Sequence, residues 1–126
     1  MGSSVEYGDV TSPQKENSKC NPKTVYGRAK LSSTKHLINL FKSKKFPAVV
    51  LRLYLAYGPK QDLNRFLPIV INGCLKNKKF PCSSGNQFRD FVYIDDVVNV
   101  ILKSLTNKKV RGKIINVGSG KPMKIK

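Results

Sequence analysis

The apolar positions of this chain alternate between two rhythms. Thr34, Leu37, Ile38 and Phe41 fall at i, i+3, i+4 and i+7, with Leu31 and Leu40 beside them. That spacing lines one face of a helix. Thr24 can cap it, and Phe46-Pro47 ends it near Lys45. Ala48 to Leu55 is instead a largely apolar run that opens on β-branched residues. Such a run suits a strand of a parallel sheet, covered on both faces. Tyr57-Gly58-Pro59 breaks it. Leu63, Phe66, Leu67, Val70, Ile71, Cys74 and Leu75 then restore the helical spacing, provided Pro68 lies in the first turn. Phe80-Pro81-Cys82 is a short extended piece, and Gly85-Asn86 marks a turn. Phe88 to Ile94 reads as a strand. Asp95-Asp96 opens a third helix, capping its positive end, with Val97, Val98, Ile101, Leu102 and Leu105 on its apolar face. Lys113 to Val117 is a last strand, closed by Gly118-Ser119-Gly120. The polar stretch 8–23, with Pro13 and Pro22, is a loop.

Helix and strand therefore alternate, which predicts an α/β fold with parallel crossovers. No strand precedes Ser3 in this reading, so the sheet looks like half of something. The length of 126 residues allows one small domain.

Bulk composition narrows the classes. No apolar run reaches the roughly 18 residues of a membrane span. The opening MGSSVEYGDV has neither the basic nor the apolar region of a signal peptide. A soluble cytoplasmic protein is the expectation. Cys20, Cys74 and Cys82 are scattered, and none pairs with the single His36 at zinc-like spacing. Reduced thiols and no metal site follow, with Cys74 acting as a small hydrophobe.

The net charge is +17. Most of it is Lys, and Arg is the residue better suited to reading bases. The clusters Lys42 to Lys45, Lys76 to Lys79 and Lys108-Lys109 fall where helices end, and cations there complement the helix dipole. This weighs against a nucleic-acid partner. A non-catalytic basic module for nucleic acid or another acidic partner is the alternative, and steep salt dependence would reveal it.

Few residues offer chemistry. Gly118-Ser119-Gly120-Lys121-Pro122 is not a phosphate loop, because Ile115 stands where the first glycine belongs. No dinucleotide fingerprint of the G-x-G-x-x-G type occurs. Tyr26 and Lys30 are spaced i, i+4, which puts both on one helix face. An ammonium there favours phenolate, and such a tyrosine can exchange a proton with a hydroxyl or carbonyl. In a chain this rich in Lys the pair also arises by chance, so the spacing alone leaves both readings open.

The surrounding segments are Ser3-Ser4-Val5-Glu6-Tyr7-Gly8, Asn21 to Lys30, Leu51 to Pro59, Arg89 to Val97 and Asn116 to Pro122. In this order and spacing the chain resembles the extended short-chain dehydrogenase/reductase family. More narrowly, it is similar to the NAD-dependent epimerases and dehydratases of nucleotide sugars. The resemblance implies an incomplete Rossmann-like parallel sheet and the C-terminal, substrate-binding portion of such an enzyme. It makes Ser3, Tyr26 and Lys30 catalytic, with Tyr26 moving a proton at a sugar oxygen, Ser3 bonding that oxygen and Lys30 holding the nicotinamide ribose. NAD or NADP is the implied cofactor and a nucleotide sugar the substrate. Arg89 matches an arginine that holds the substrate phosphates, Arg65 reaches the nucleotide, and Tyr57 lines the pocket. A strand-end salt bridge from Arg89 to Asp90 or Asp95 is the structural alternative.

Three departures from the family pattern carry meaning. Leu55 stands where many relatives have a substrate-contacting Asn. Ser4 and Val5 follow Ser3, where 4,6-dehydratases carry Asp-Glu. Epimerase or ketoreductase therefore ranks ahead of dehydratase. The glycine-rich half expected before Ser3 is absent from these residues, so a truncated chain, inactive alone, is expected. A separate N-terminal chain or a homodimer through the Tyr-Lys helix are the implied partners.

Overall fold

In the computed structural model, which describes residues 1–126, the elements run β1 (Gly2–Ser3), α1 (Val25–Lys44), β2 (Val50–Leu53), β3 (Leu55–Tyr57), α2 (Phe66–Leu75), β4 (Phe88–Arg89), β5 (Phe91–Tyr93), α3 (Ile94–Thr106), β6 (Ile114–Val117) and β7 (Met123–Lys124). Strands β1, β2 and β6 form a parallel sheet in that order. Strands β3 and β5 form a second parallel pair, and β4 with β7 a short antiparallel one. The α/β class and its parallel crossovers are as the alternation predicts.

Local chemistry explains most boundaries. The Thr24 hydroxyl accepts the Gly27 N–H at 3.0 Å and starts α1. Lys45 ends it in the left-handed region at φ 55°, its N–H returned to the last turn. Pro68 sits in the first turn of α2, where its missing N–H costs nothing. Leu51, Val92, Val97 and Val117 form the core between the sheets and α3.

Six expectations change. A strand does form at Gly2–Ser3, defined by parallel pairing with β2 (Gly2 opposite Arg52, Ser3 opposite Leu53); two residues carry no periodicity to read. The run from Ala48 to Leu55 is not one strand. At Tyr54 it changes sheets: the Tyr54 N–H goes to Val117 O at 3.0 Å, and the Leu55 N–H goes to Asp90 O at 3.1 Å. Phe88 to Ile94 is likewise split at Asp90, and Ile94 already belongs to α3. Tyr93 caps α3 with no side-chain bond, so Asp95 and Asp96 act only through the dipole of its first turn. Helix α2 begins at Phe66, leaving Leu63 outside and 70% exposed, and Cys74 is exposed rather than packed.

Arg52, placed mid-strand in an apolar run, is 2% exposed. Its Nε donates to Glu6 Oε2 at 2.9 Å, and its guanidinium lies 4.6 Å from the Tyr7 ring centre. Burial works against the charge, but the contacts with Tyr7 and Glu6 more than offset it, so the guanidinium pKa is raised and the group stays ionised. The Tyr7 hydroxyl donates to Asn116 Oδ1 at 2.7 Å, and Asn116 in turn donates to Gln14 O at 2.9 Å. No buried polar side-chain atom is left without a partner.

Candidate functional site

Parallel strands β1, β2 and β6 end together, with Ser3, Leu53 and Val117 in register. The C-terminal edge of a parallel sheet is where α/β proteins place ligands. Ser3 emerges there as the cap of a one-turn 3-10 helix, Ser4–Glu6. Its hydroxyl accepts the Val5 N–H at 3.4 Å. Its own N–H donates to Glu6 Oε1 at 2.9 Å, completing a reciprocal cap. Glu6 therefore bonds Ser3 with one oxygen and Arg52 with the other.

Helix α1 lies directly against this turn. An added methyl at Gly27 would sit 2.9 Å from Val5 O and 2.9 Å from Pro22 Cβ, so only glycine allows the approach. On the neighbouring turns of the helix, Lys30 Nζ donates to Met1 O at 3.2 Å, two residues before Ser3. The same ammonium lies 5.6 Å from the Tyr26 ring centre. Tyr26 is 55% exposed. The three residues Ser3, Tyr26 and Lys30 are thus assembled around one helix–strand contact, with the tyrosine presented to solvent.

Tyr57, Arg65 and Arg89 lie elsewhere, together. They line one groove of about 810 Å³, with Tyr54, Leu55 and Phe66 among its other walls. The Tyr57 ring meets Phe91 edge-on at 6.4 Å, and Phe66 stacks on Phe91 at 6.2 Å. Arg65 is the N-cap residue of α2 with no side-chain cap bond, and Arg89 bonds only the Phe88 carbonyl, at 3.0 Å. The alternative of a salt bridge from Arg89 to Asp90 or Asp95 is not what the structure holds. The chain's two ion pairs are Lys23–Asp9 and Arg52–Glu6. Two arginines are therefore free to grip an anion beside an aromatic wall. Leu55, 44% exposed, shares that groove.

Asp90 has a different task. Its Oδ1 accepts Ser119 N–H at 2.6 Å and Ser119 Oγ at 2.7 Å, and its Oδ2 accepts Gly120 N–H at 3.0 Å. The Ser119 and Gly120 N–H groups of the glycine loop after β6 are thus taken by Asp90 and are not free to cradle a pyrophosphate. Ser3, Tyr26 and Lys30 do fit the nicotinamide end of a dinucleotide, offering two hydroxyls and an ammonium. Tyr54 at the groove mouth has its pKa raised, first by burial and then by the charges of nearby groups including Asp90 and Glu16. Its hydroxyl donates to Gln14 Oε1 at 3.0 Å. Glu6, Gly27 and Asp90 were not read as site residues from the sequence. Glu6 alone had a signal, Ser3-x-x-Glu6 being a capping box.

No group of His, Cys, Asp and Glu is placed to hold a metal ion, and no helix is long and apolar enough to cross a membrane. Residues 1–118 match the profile described as the NAD dependent epimerase/dehydratase family. CDP-abequose synthase of Salmonella muenchen is 35% identical over 107 residues, which are 80% of this chain and 36% of that protein. dTDP-L-rhamnose 4-epimerase of Burkholderia thailandensis is 36% identical over 110 residues, 82% of this chain and 30% of that protein. Among solved structures, UDP-N-acetylglucosamine 4-epimerase from Methanobrevibacter ruminantium superposes with a TM-score of 0.88 at 30% identity, over 98% of this chain and 41% of that one. UDP-glucuronic acid 4-epimerase from Bacillus cereus, in complex with UDP-glucuronic acid and NAD, gives 0.86 at 32% identity, over 98% of this chain and 40% of that one. The chain spans about a third of the length of these curated relatives.

Proposed function

Because this chain belongs to the NAD dependent epimerase/dehydratase family, we propose that its 126 residues form the C-terminal, substrate-binding and catalytic part of a nucleotide-sugar epimerase or ketoreductase. The observation that carries this reading is the gathering of Tyr57, Arg65 and Arg89 in one groove. That groove opens from Tyr54 and Leu55, which follow Leu53, the in-register neighbour of Ser3.

The division of labour follows from the geometry. Arg65 and Arg89 hold the diphosphate, since neither guanidinium has a carboxylate partner. Tyr57 and Phe66 pack the apolar surface of the nucleotide. The sugar then points toward the sheet edge, where Tyr26 passes a proton to or from its reacting oxygen and Ser3 bonds the same oxygen. Lys30, fixed at Met1 O, holds the nicotinamide ribose. A bound nicotinamide supplies hydride transfer to or from the sugar carbon. Ser4 and Val5 offer no acid/base pair for eliminating water, which favours epimerisation or reduction over 4,6-dehydration.

Calorimetric titration of UDP and dTDP into the chain tests the reading. Binding is expected, and Arg89→Ala or Arg65→Ala should each weaken it by about tenfold or more, the scale of one charge-assisted phosphate contact. Equal affinity of both variants and the parent chain would overturn it.

A further inference from the structure

Far from the groove, the opposite edge of the parallel sheet collects positive charge. Helix α1 ends at Lys44 and Lys45, just before β2 begins, and the segment Lys108, Lys109, Arg111 and Lys113 leads into β6 beside it. The two segments touch. The Gly112 N–H donates to Ala48 O at 2.7 Å, and the Val50 N–H donates to Lys113 O at 3.0 Å. Gly112 also presses on the Phe41 ring so closely that it has no room for a Cβ, and Lys45 Nζ lies 5.9 Å from the centre of the same ring. Segments distant in sequence thus meet at this end of the sheet, and all six of their cations are exposed.

Nothing neutralises it. None of the seven carboxylates lies within residues 41–50 or 101–113. The nearest on α3, Asp96, is separated from the end of that helix by about 15 Å of axial rise. Glu6 and Asp90 serve the other edge of the sheet, and neither ion pair of the chain involves these six residues. Phe46, 51% exposed, follows Lys45 directly.

We propose that this edge binds single-stranded nucleic acid. Ammonium groups are point charges that suit repeated phosphates without demanding a sequence. An exposed aromatic ring among them gives one base a stacking platform, which neither an acidic polypeptide nor a simple polyphosphate exploits.

Fluorescence anisotropy with a labelled oligothymidylate, across a potassium chloride series, decides the matter. With six cations engaged, the slope of log affinity against log salt should be about −4. One variant carries Gln at Lys44, Lys45, Lys108, Lys109, Arg111 and Lys113. Its control carries Gln at Lys15, Lys19, Lys35, Lys76, Lys78 and Lys79, which leaves the same net charge. The first should lose about a hundredfold in affinity at low salt and the control less than about tenfold. Phe46→Ala should cost about fivefold or more for the oligothymidylate and nothing for poly-glutamate. Equal losses in the two Gln variants, no binding at low salt, or preference for poly-glutamate would each overturn the proposal. Thermal melts that match the parent chain establish that the variants are folded.

Discussion

Arg52 and Glu6 meet at 2.9 Å with both side chains shut away from solvent, and the second oxygen of Glu6 holds the backbone of Ser3. A charge pair inside a small core is thereby tied to the backbone of the residue that carries a candidate catalytic hydroxyl.

Removing one member strands the other. Arg52→Ala or Glu6→Ala should destabilise the chain by about 3–5 kcal/mol in urea unfolding, the usual cost of an unpaired buried charge. Arg52→Met combined with Glu6→Leu should cost less than either single change. Single variants within about 1 kcal/mol of the parent would show that the pair is unimportant.

Gly27 reverses the normal rule for helices. Ala is ordinarily better than Gly inside a helix by about 1 kcal/mol. Here the extra methyl would collide with Val5 O and Pro22. Gly27→Ala should therefore cost about 1–3 kcal/mol, as overpacking does. A stabilised variant, read from the same unfolding curves, would mean that α1 does not need this approach.

Tyr54 should ionise at a higher pH than a free tyrosine. Burial keeps its phenol protonated beyond the ordinary value of 10.0. An unfolded chain releases that proton first, so the contribution to stability is complete below about pH 10 and is lost as pH rises through the folded-state value. Tyr54→Phe should remove a step above pH 10 from a 295 nm titration and flatten the alkaline loss of stability. An unchanged titration would contradict the assignment.

The loop after β6 should not bind a dinucleotide. Its Ser119 and Gly120 N–H groups already belong to Asp90. Titration of NAD or NADP into the 126 residues should show no micromolar affinity. Asp90→Ala should instead speed amide exchange at Ser119 and Gly120 by about tenfold or more, the scale of losing one hydrogen bond to a charged group. Micromolar NAD binding by the parent chain would refute the first expectation.

What the sequence revealed depended on the range of the interaction. Helix α1 was legible from Thr24 to Lys45, because capping and i, i+4 spacing are local. Arg89 and Tyr57 were legible only through their family context, and the groove that unites them with Arg65 comes from pairing β3 with β5. The break at Tyr54 was hidden, since an apolar run looks the same whether it serves one sheet or two. Arg52 was passed over inside that run, because its partner Glu6 is 46 residues away. The end-of-helix lysines were placed correctly one by one. Their convergence on one edge required knowing that α1 and the turn before β6 finish side by side.

The seam between the two sheets has a mechanical meaning. Tyr54 belongs to the large sheet by its N–H, and Leu55 belongs to the small one by its own. Asp90 closes the same seam from the other side, bolting the start of β5 to the loop beyond β6. Arg89 is the residue next to that bolt. A phosphate held by Arg89 is therefore gauged against the sheet edge that carries Ser3, as an object in a vice is gauged against its fixed jaw. On the proposed roles of Arg89 and Ser3, the length of the clamped molecule, measured from phosphate to reacting oxygen, would be a quantity the fold itself selects.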